Sequence, residues 1–293
     1  LAGSRSATEF VAWYNGHPDF RDRHFDLSVE RVAVIGVGNV AVDVARILCL
    51  TPDELRATDM ADYAIEALSA SRVKEVAILG RRGPAQAAFT TVEVKELGEL
   101  PGADVIVRPE EVVIDEVSAA ELAVARAATR AKVEIVQEFS RRTPSGKPRR
   151  LHIRFMVSPL ELIAGGEGQV TGLKLAKTRL VKNETGVIVT EPTGEIEELP
   201  AGLVFRSVGY RGVALPDVPF DLRTGLIPNA KGRVLDPAPG AVNVAPLPGH
   251  YATGWIKRGP TGVIGNNKAD SVETVNLLLE DAGRAQTTLR RDR

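Results

Sequence analysis

The feature that most constrains this chain lies between Arg31 and Leu50. The run Arg31-Val32-Ala33-Val34-Ile35 is short, apolar and rich in β-branched residues, and it stops at Gly36. A strand buried on both faces of a parallel sheet has this composition. Helical periodicity begins a few residues later, with Val40, Val44, Ile47 and Leu48 on one face. Between the two stands Gly36-Val37-Gly38-Asn39-Val40-Ala41, a GxGxxA turn. In such a unit the first glycine permits the tight turn and the second lets backbone approach a pyrophosphate. The alanine brings helix close to strand. The helix start then offers unpaired N–H groups and a positive dipole end to the phosphates. An ordinary glycine-bearing strand-to-helix turn without a ligand is the competing reading.

The next strand-like run, Glu75-Val76-Ala77-Ile78-Leu79, ends at Gly80-Arg81-Arg82. In a dinucleotide-binding unit the residue at this place selects the cofactor. A carboxylate holds the ribose hydroxyls of NAD, whereas arginine accommodates the 2′-phosphate of NADP. Two guanidiniums and no carboxylate suit a phosphate monoester, through charge-assisted bidentate bonds. Arg81 stands further from Gly36 than the ~20 positions of the simple unit. Thr51-Pro52-Asp53-Glu54 explains the excess: a Thr cap, Pro in the first turn and Glu three residues on open an inserted helix toward Leu68. NADP is expected in preference to NAD, with a solvated basic turn as the alternative.

Elsewhere the periodicities divide the chain. Ser6 and Glu9 have capping-box spacing ahead of Phe10, Trp13 and Tyr14, and Gly16 with Pro18 ends that helix. Helical pattern is expected around 85–97, strands at 104–107 and 112–114, and a further capping box at Ser118–Glu121. From Leu151 to Thr190 the period becomes two, which predicts antiparallel strands with turns at Gly165-Gly166 and 183–186. After the apolar run 203–209 the composition shifts to Pro and Gly, and a glycine-rich stretch, 254–265, feeds a helix at 271–281.

The chain has 293 residues, a soft prior for two domains. Its 37 Lys+Arg against 38 Asp+Glu leave a net charge of −1, which argues against nucleic acid as a partner. The single cysteine, Cys49, closes no internal disulfide and reads as a buried small hydrophobe. His17, His24, His152 and His250 lack metal-ligand spacing, so no metal is expected. No apolar run approaches the ~18 residues that span a bilayer, and no signal-peptide pattern opens the chain. A cytoplasmic, or equivalently reducing, compartment is expected.

Gly254-Trp255-Ile256-Lys257-Arg258-Gly259-Pro260-Thr261-Gly262-Val263-Ile264-Gly265 is too dense in special residues for a plain loop. With this string the sequence resembles the adrenodoxin reductase and ferredoxin–NADP reductase flavoproteins of the glutathione-reductase-like fold. The resemblance also runs through Ala7-Thr8-Glu9-Phe10-Val11, Trp13-Tyr14-Asn15, Gly38–Ala41, Asp43–Leu48, Gly80–Pro84 and Ser207-Val208-Gly209-Tyr210.

The resemblance implies an α/β fold. A three-layer, Rossmann-like NADP-binding domain with an antiparallel insertion would occupy 1–208, and the C-terminal part of an FAD-binding domain 209–293. It implies an oxidoreductase moving electrons between NADPH and a ferredoxin- or adrenodoxin-type iron–sulfur protein through FAD, as a monomer. By motif position, Val37, Gly38, Asn39 and Val40 would line the pyrophosphate behind the turn at Gly36, and Arg81 and Arg82 would hold the 2′-phosphate. Glu93 would contact the adenosine end. Trp255, Gly262, Val263 and Ile264 would contact the flavin, with Gly262 near the nicotinamide. Hydride transfer to a flavin needs positioning rather than a protein acid or base, so no catalytic side chain is expected. The family opens on another fingerprint, for the ADP half of FAD, upstream of anything in this chain, so an interior piece of a longer reductase is expected. An NADP(H)-binding module without redox activity of its own is the second hypothesis. Arg141, Arg142, Lys147, Arg149 and Arg150 form a basic cluster suited to an acidic ferredoxin, or else an exposed turn.

Overall fold

The computed structural model describes residues 1–236, 244–260 and 264–289, apart from the side chains of 264 and 285–289. It divides into two compact units, Leu1–Val208 and Gly209–Arg293.

The first unit is built on a six-stranded parallel sheet. Its strands are β1 (Ser4–Ser6), β2 (Arg31–Ile35), β3 (Glu75–Leu79), β4 (Ala103–Val107), β5 (Arg149–Arg154) and β9 (Leu203–Arg206), in the order β1-β9-β2-β3-β5-β4. Helices α1 (Ala7–Tyr14), α2 (Asn39–Cys49), α3 (Pro52–Arg56), α4 (Asp62–Ser69), α5 (Thr91–Leu97), α6 (Glu116–Val124) and α7 (Ala127–Phe139) complete the helical part. An antiparallel sheet of β6 (Val157–Ala164), β7 (Val170–Lys182) and β8 (Ile188–Pro200) is inserted between β5 and β9.

Alternation within the buried strands assigns the two faces of the central sheet. Val32, Val34, Val76 and Ile78 pack with Phe10, Val44, Leu48, Val94 and Phe139 of the helices. Ala33, Ala77 and Leu79 instead pack with Val157, Leu173 and Leu175 of the antiparallel sheet. Large side chains thus meet the helices, and the two alanines let the second sheet lie close. The expected three layers with an antiparallel insertion are what the chain forms.

Several elements differ from expectation. The 112–114 run is no strand: a 3₁₀ turn over Pro109–Val112, opened by a proline in its first position, takes in the first residue of that run. The helix expected to run from Thr51 to Leu68 is two, α3 and α4, and only α3 carries the full Thr51–Glu54 capping box. The helix expected over 85–97 is a 3₁₀ turn at Pro84–Gln86 followed by α5, capped by Thr90. Ser118 caps nothing; Asp115 does so, accepting from the Ser118 N–H.

The second unit holds a small antiparallel sheet of β10 (Asn229–Ala230), β11 (Arg233–Leu235) and β12 (Pro246–Tyr251). A one-turn helix, α8 (Trp255–Arg258), and a long one, α9 (Ile264–Leu289), follow. α9 runs well beyond the expected 271–281 and leaves Val272, Val275 and Leu279 exposed. Arg233 ties β11 to α9 through Asp281 at 2.7 Å. No helix among the described residues is long and apolar enough to cross a membrane.

Candidate functional site

The GxGxxA turn leaves β2 at the C-terminal edge of the parallel sheet, the place where open α/β sheets take their ligands. β2 and β3 pair in register, Ile35 opposite Leu79, so Gly36 and Gly80 begin neighbouring loops. The two halves of the expected site, Gly36–Val40 and Arg81-Arg82, are therefore side by side.

The two fingerprint glycines are small for different reasons. Gly36 adopts φ +125°, and a Cβ there would lie 2.1 Å from the Ser207 carbonyl oxygen. The fold itself demands glycine at 36. Gly38 has φ −98°, which any residue adopts, and a Cβ there would meet no atom of the chain within 4 Å. Nothing in the described protein requires glycine at 38; the space it leaves opens onto the start of α2. No side chain caps that helix and its first turn carries no carboxylate. Its leading amides and dipole are left for an outside anion. A pyrophosphate fits this cradle.

The turn is braced from the side. The Val37 carbonyl accepts the N–H groups of Ala88 and Phe89, both at 2.9 Å. The Val37 side chain lies against Gly80, where a Cβ would approach it to 2.8 Å. Asn39 Oδ1 accepts the Thr90 N–H at 2.8 Å, so this side chain anchors the cap of α5, while its Nδ2 donors and its backbone remain to face a phosphate. On the far side of the 84–90 loop, buried Lys132 donates to the Ala87 carbonyl and sits 5.7 Å from the Phe89 ring centre. Burial pushes its ammonium below the usual lysine range.

Arg81 and Arg82 are not equivalent. Arg81 is exposed, and among the described residues no hydrogen bond or ion pair engages its guanidinium. Arg82 is half-buried; one Nη donates to the Ile188 carbonyl at 3.4 Å, while its buried Nε has no partner. A phosphate monoester beside this pair would supply the acceptor that Nε lacks. Glu93 lies in the first turn of α5, where burial and then the Asp43 and Glu96 carboxylates push its carboxyl above the usual range, against Arg46. Asp43 itself pairs with Arg46 at 2.9 Å.

The remaining candidates belong to other segments. Trp255 opens α8 in the second unit, two-fifths exposed and tilted over Tyr210 at 5.4 Å. The turn before it is fixed by Asp270, which accepts the Gly254 N–H and pairs with buried Lys257 at 2.9 Å. Gly262 and Val263 lie outside the described residues; Ile264 begins α9, its side chain likewise outside them. The basic cluster precedes and opens β5, at the sheet end opposite the fingerprint, and most of it is already engaged. Arg142 pairs with Glu138, Lys147 donates to the Leu100 carbonyl, Arg149 to the Leu50 carbonyl, and Arg150 lies 3.6 Å from Glu75. Cys49 is wholly buried, its thiol pushed up to about 12 by desolvation. Among the described residues no group of side chains is arranged to hold a metal ion.

The comparisons with known proteins bear out the resemblance. No protein-family model matches the chain. NADPH-ferredoxin reductase FprA of Mycobacterium leprae is 46% identical over 288 residues, 98% of this chain and 60% of that protein. The mitochondrial NADPH:adrenodoxin oxidoreductase of Bos taurus is 41% identical over 292 residues, 96% of this chain and 56% of that protein. The structure of Mycobacterium tuberculosis FprA in complex with NADPH matches with a TM-score of 0.87 at 45% identity, covering 99% of this chain and 61% of that one. The chain thus spans about 60% of the length of the first of these relatives.

Proposed function

We propose, on the premise that this chain is a homologue of the adrenodoxin-reductase-like ferredoxin–NADP reductases, that it takes part in electron transfer between NADPH and a small iron–sulfur protein through FAD. In this reading Leu1–Val208 is the NADP-binding domain and Gly209–Arg293 belongs to an FAD-binding domain. The observation that carries it is the pairing, at one sheet edge, of a glycine cradle that nothing in the described protein requires with an arginine whose guanidinium no described residue engages.

The α2 amides from Asn39 onward receive the pyrophosphate, with Gly38 keeping the approach open. Arg81 clamps the 2′-phosphate, and Arg82 adds one bond through its free Nε. Glu93 borders the adenosine end. Trp255, Gly262, Val263 and Ile264 contact the flavin, with Gly262 near the nicotinamide. Bound FAD would take a hydride from the nicotinamide and release its two electrons one at a time to a one-electron carrier. The chain's own residues bind, orient and exclude water, and no side chain transfers a proton. The partner is a ferredoxin- or adrenodoxin-type protein, and a monomeric, cytoplasmic protein with its lone cysteine buried belongs to the same reading. The names of the relatives favour redox activity over a bare nucleotide-binding module.

Titration calorimetry with 2′,5′-ADP and 5′-ADP tests the phosphate assignment. Arg81→Ala is expected to weaken 2′,5′-ADP by about 1.5–3 kcal/mol, the worth of a charge-assisted bond, and to leave 5′-ADP unchanged. Arg82→Ala is expected to cost less, because part of that side chain serves the Ile188 carbonyl. Equal losses for both ligands would sink the 2′-phosphate role. Visible absorption of the purified chain reads the flavin separately: a colourless chain that binds 2′,5′-ADP favours the binding module.

A further inference from the structure

The antiparallel insertion touches the Gly80–Arg82 turn in a way that the nucleotide site alone does not explain. Three consecutive carbonyls of that turn all accept hydrogen bonds from the inserted sheet or from Met156, the residue that leads into it. Val157 N–H donates to Gly80 O at 3.0 Å, the Thr178 hydroxyl to Arg81 O at 2.7 Å, and Met156 N–H to Arg82 O at 3.3 Å. Gly80 N–H adds a fourth bond, to the Arg154 carbonyl at 2.9 Å. With every carbonyl turned into the sheet, the turn has one backbone course, and the Arg81 side chain is left on the solvent side.

The middle bond is the only one of these made by a side chain. Thr178 is 7% exposed, and its own N–H donates to the Met156 carbonyl at 2.8 Å. Met156 has φ +55°, a left-handed conformation that a non-glycine residue keeps only where its surroundings over-determine it. β7 is irregular at this point: its pairing with β8 shifts between Ala176 and Thr178. Along β7 the buried residues change from Leu173 and Leu175 to Ala176, Thr178 and Leu180. Such irregularities re-aim side chains, and here the change of face brings a hydroxyl onto the turn.

We propose that Thr178 is a positioning residue for cofactor selection, holding the Arg81 carbonyl so that the guanidinium is already oriented for a 2′-phosphate before ligand arrives. The inference rests on the proposed 2′-phosphate role of Arg81. Without the hydroxyl, the Arg81 carbonyl loses its buried donor, and the peptide between Arg81 and Arg82 is held only through the bonds of its neighbours. The entropy of ordering the guanidinium then falls on the binding step. Thr178→Val keeps shape and β-branching but removes the donor; Thr178→Ser keeps the donor.

The test is calorimetric titration of the 293-residue chain with 2′,5′-ADP and with 5′-ADP. Thr178→Val is expected to weaken 2′,5′-ADP about tenfold, the loss of one ordinary hydrogen bond. Binding of 5′-ADP is expected to stay within about twofold, and Thr178→Ser to restore both ligands. Should the valine variant not fold, Thr178→Ala carries the same comparison. Unchanged binding, or an equal loss of both ligands, overturns the positioning role. Arg81→Ala separates the two levels: if it weakens 2′,5′-ADP while Thr178→Val does not, only the inference fails. If Arg81→Ala leaves 2′,5′-ADP unchanged, the 2′-phosphate assignment falls and the inference with it.

Discussion

Replacing Gly38 by alanine separates a glycine kept for a ligand from one kept for the fold. At φ −98° and ψ 174° the backbone of residue 38 is open to alanine, and the added Cβ meets nothing within 4 Å. Reduced freedom of the unfolded chain favours the variant by about 0.4–1 kcal/mol. Alanine is a poorer helix cap than glycine, by roughly a similar amount. The two effects nearly cancel, so the melting temperature is expected to stay within about 3 °C of the parent, at ~2–4 °C per kcal/mol for a unit of this size. Binding behaves differently. The methyl stands in the cradle where a phosphate oxygen meets the α2 amides, and each charge-assisted bond lost costs about 1.5–3 kcal/mol. NADP⁺ affinity is expected to fall by roughly tenfold or more. Gly36→Ala is the control: its Cβ would be 2.1 Å from the Ser207 oxygen at φ +125°. It must shift β9 or the turn, at a cost of at least about 1–3 kcal/mol in backbone strain alone. Calorimetric titration beside a thermal melt reads both quantities. A Gly38→Ala chain that binds NADP⁺ like the parent would refute the placement of the pyrophosphate at α2.

Two further outcomes follow from the charged groups of the first unit. Arg154 is buried between Glu111 at 2.7 Å and Glu197 at 2.6 Å, and Glu111 also accepts the Phe155 N–H. Glu111→Ala leaves a buried guanidinium half-paired and an amide unmet, and is expected to cost on the order of 3 kcal/mol or more in chemical unfolding; a cost below about 1 kcal/mol would show that water replaces the carboxylate. Asp104 accepts the Ser145 hydroxyl and the N–H groups of Gly146 and Lys147, which hold its carboxyl down to about 2 from an ordinary value of 3.8. Its contribution is present above pH 3.8 and is lost as pH falls toward 2, so Asp104→Asn is expected to flatten the acid limb of the stability profile between those values and to change its shape little at neutral pH.

The local chemistry of the site was legible because it is written in consecutive residues. A β-branched run, two glycines and an alanine specify strand, turn and helix together, and Arg81-Arg82 sits directly after the next strand. Both are properties of backbone conformation within a few positions. The basic cluster shows the opposite case. Five cationic residues within ten positions suit a docking face or an exposed turn equally in sequence, and Lys147 and Arg149 donate to the carbonyls of Leu100 and Leu50. Those acceptors are distant in sequence, so no local pattern announces them. The 3₁₀ turns at 84–86 and 109–112 both begin with proline, and each buries two consecutive residues, Pro84 with Ala85 and Glu111 with Val112, which neither helical nor strand periodicity describes.

Sequence alone therefore determined the α/β character, the strand–glycine–helix cradle, the arginine pair and the family to which the chain is similar, since each depends on near neighbours or on a contiguous motif. Only the tertiary structure distinguished Gly36, required by the Ser207 carbonyl, from Gly38, required by nothing in the described chain. Only it divided Arg81 from Arg82 and tied the Asn39 amide oxygen to the Thr90 N–H. It alone brought Thr178 to the Arg81 carbonyl across 97 positions. Such contacts are set when separate layers pack, and the free energy that selects them belongs to the assembled core rather than to any segment of it.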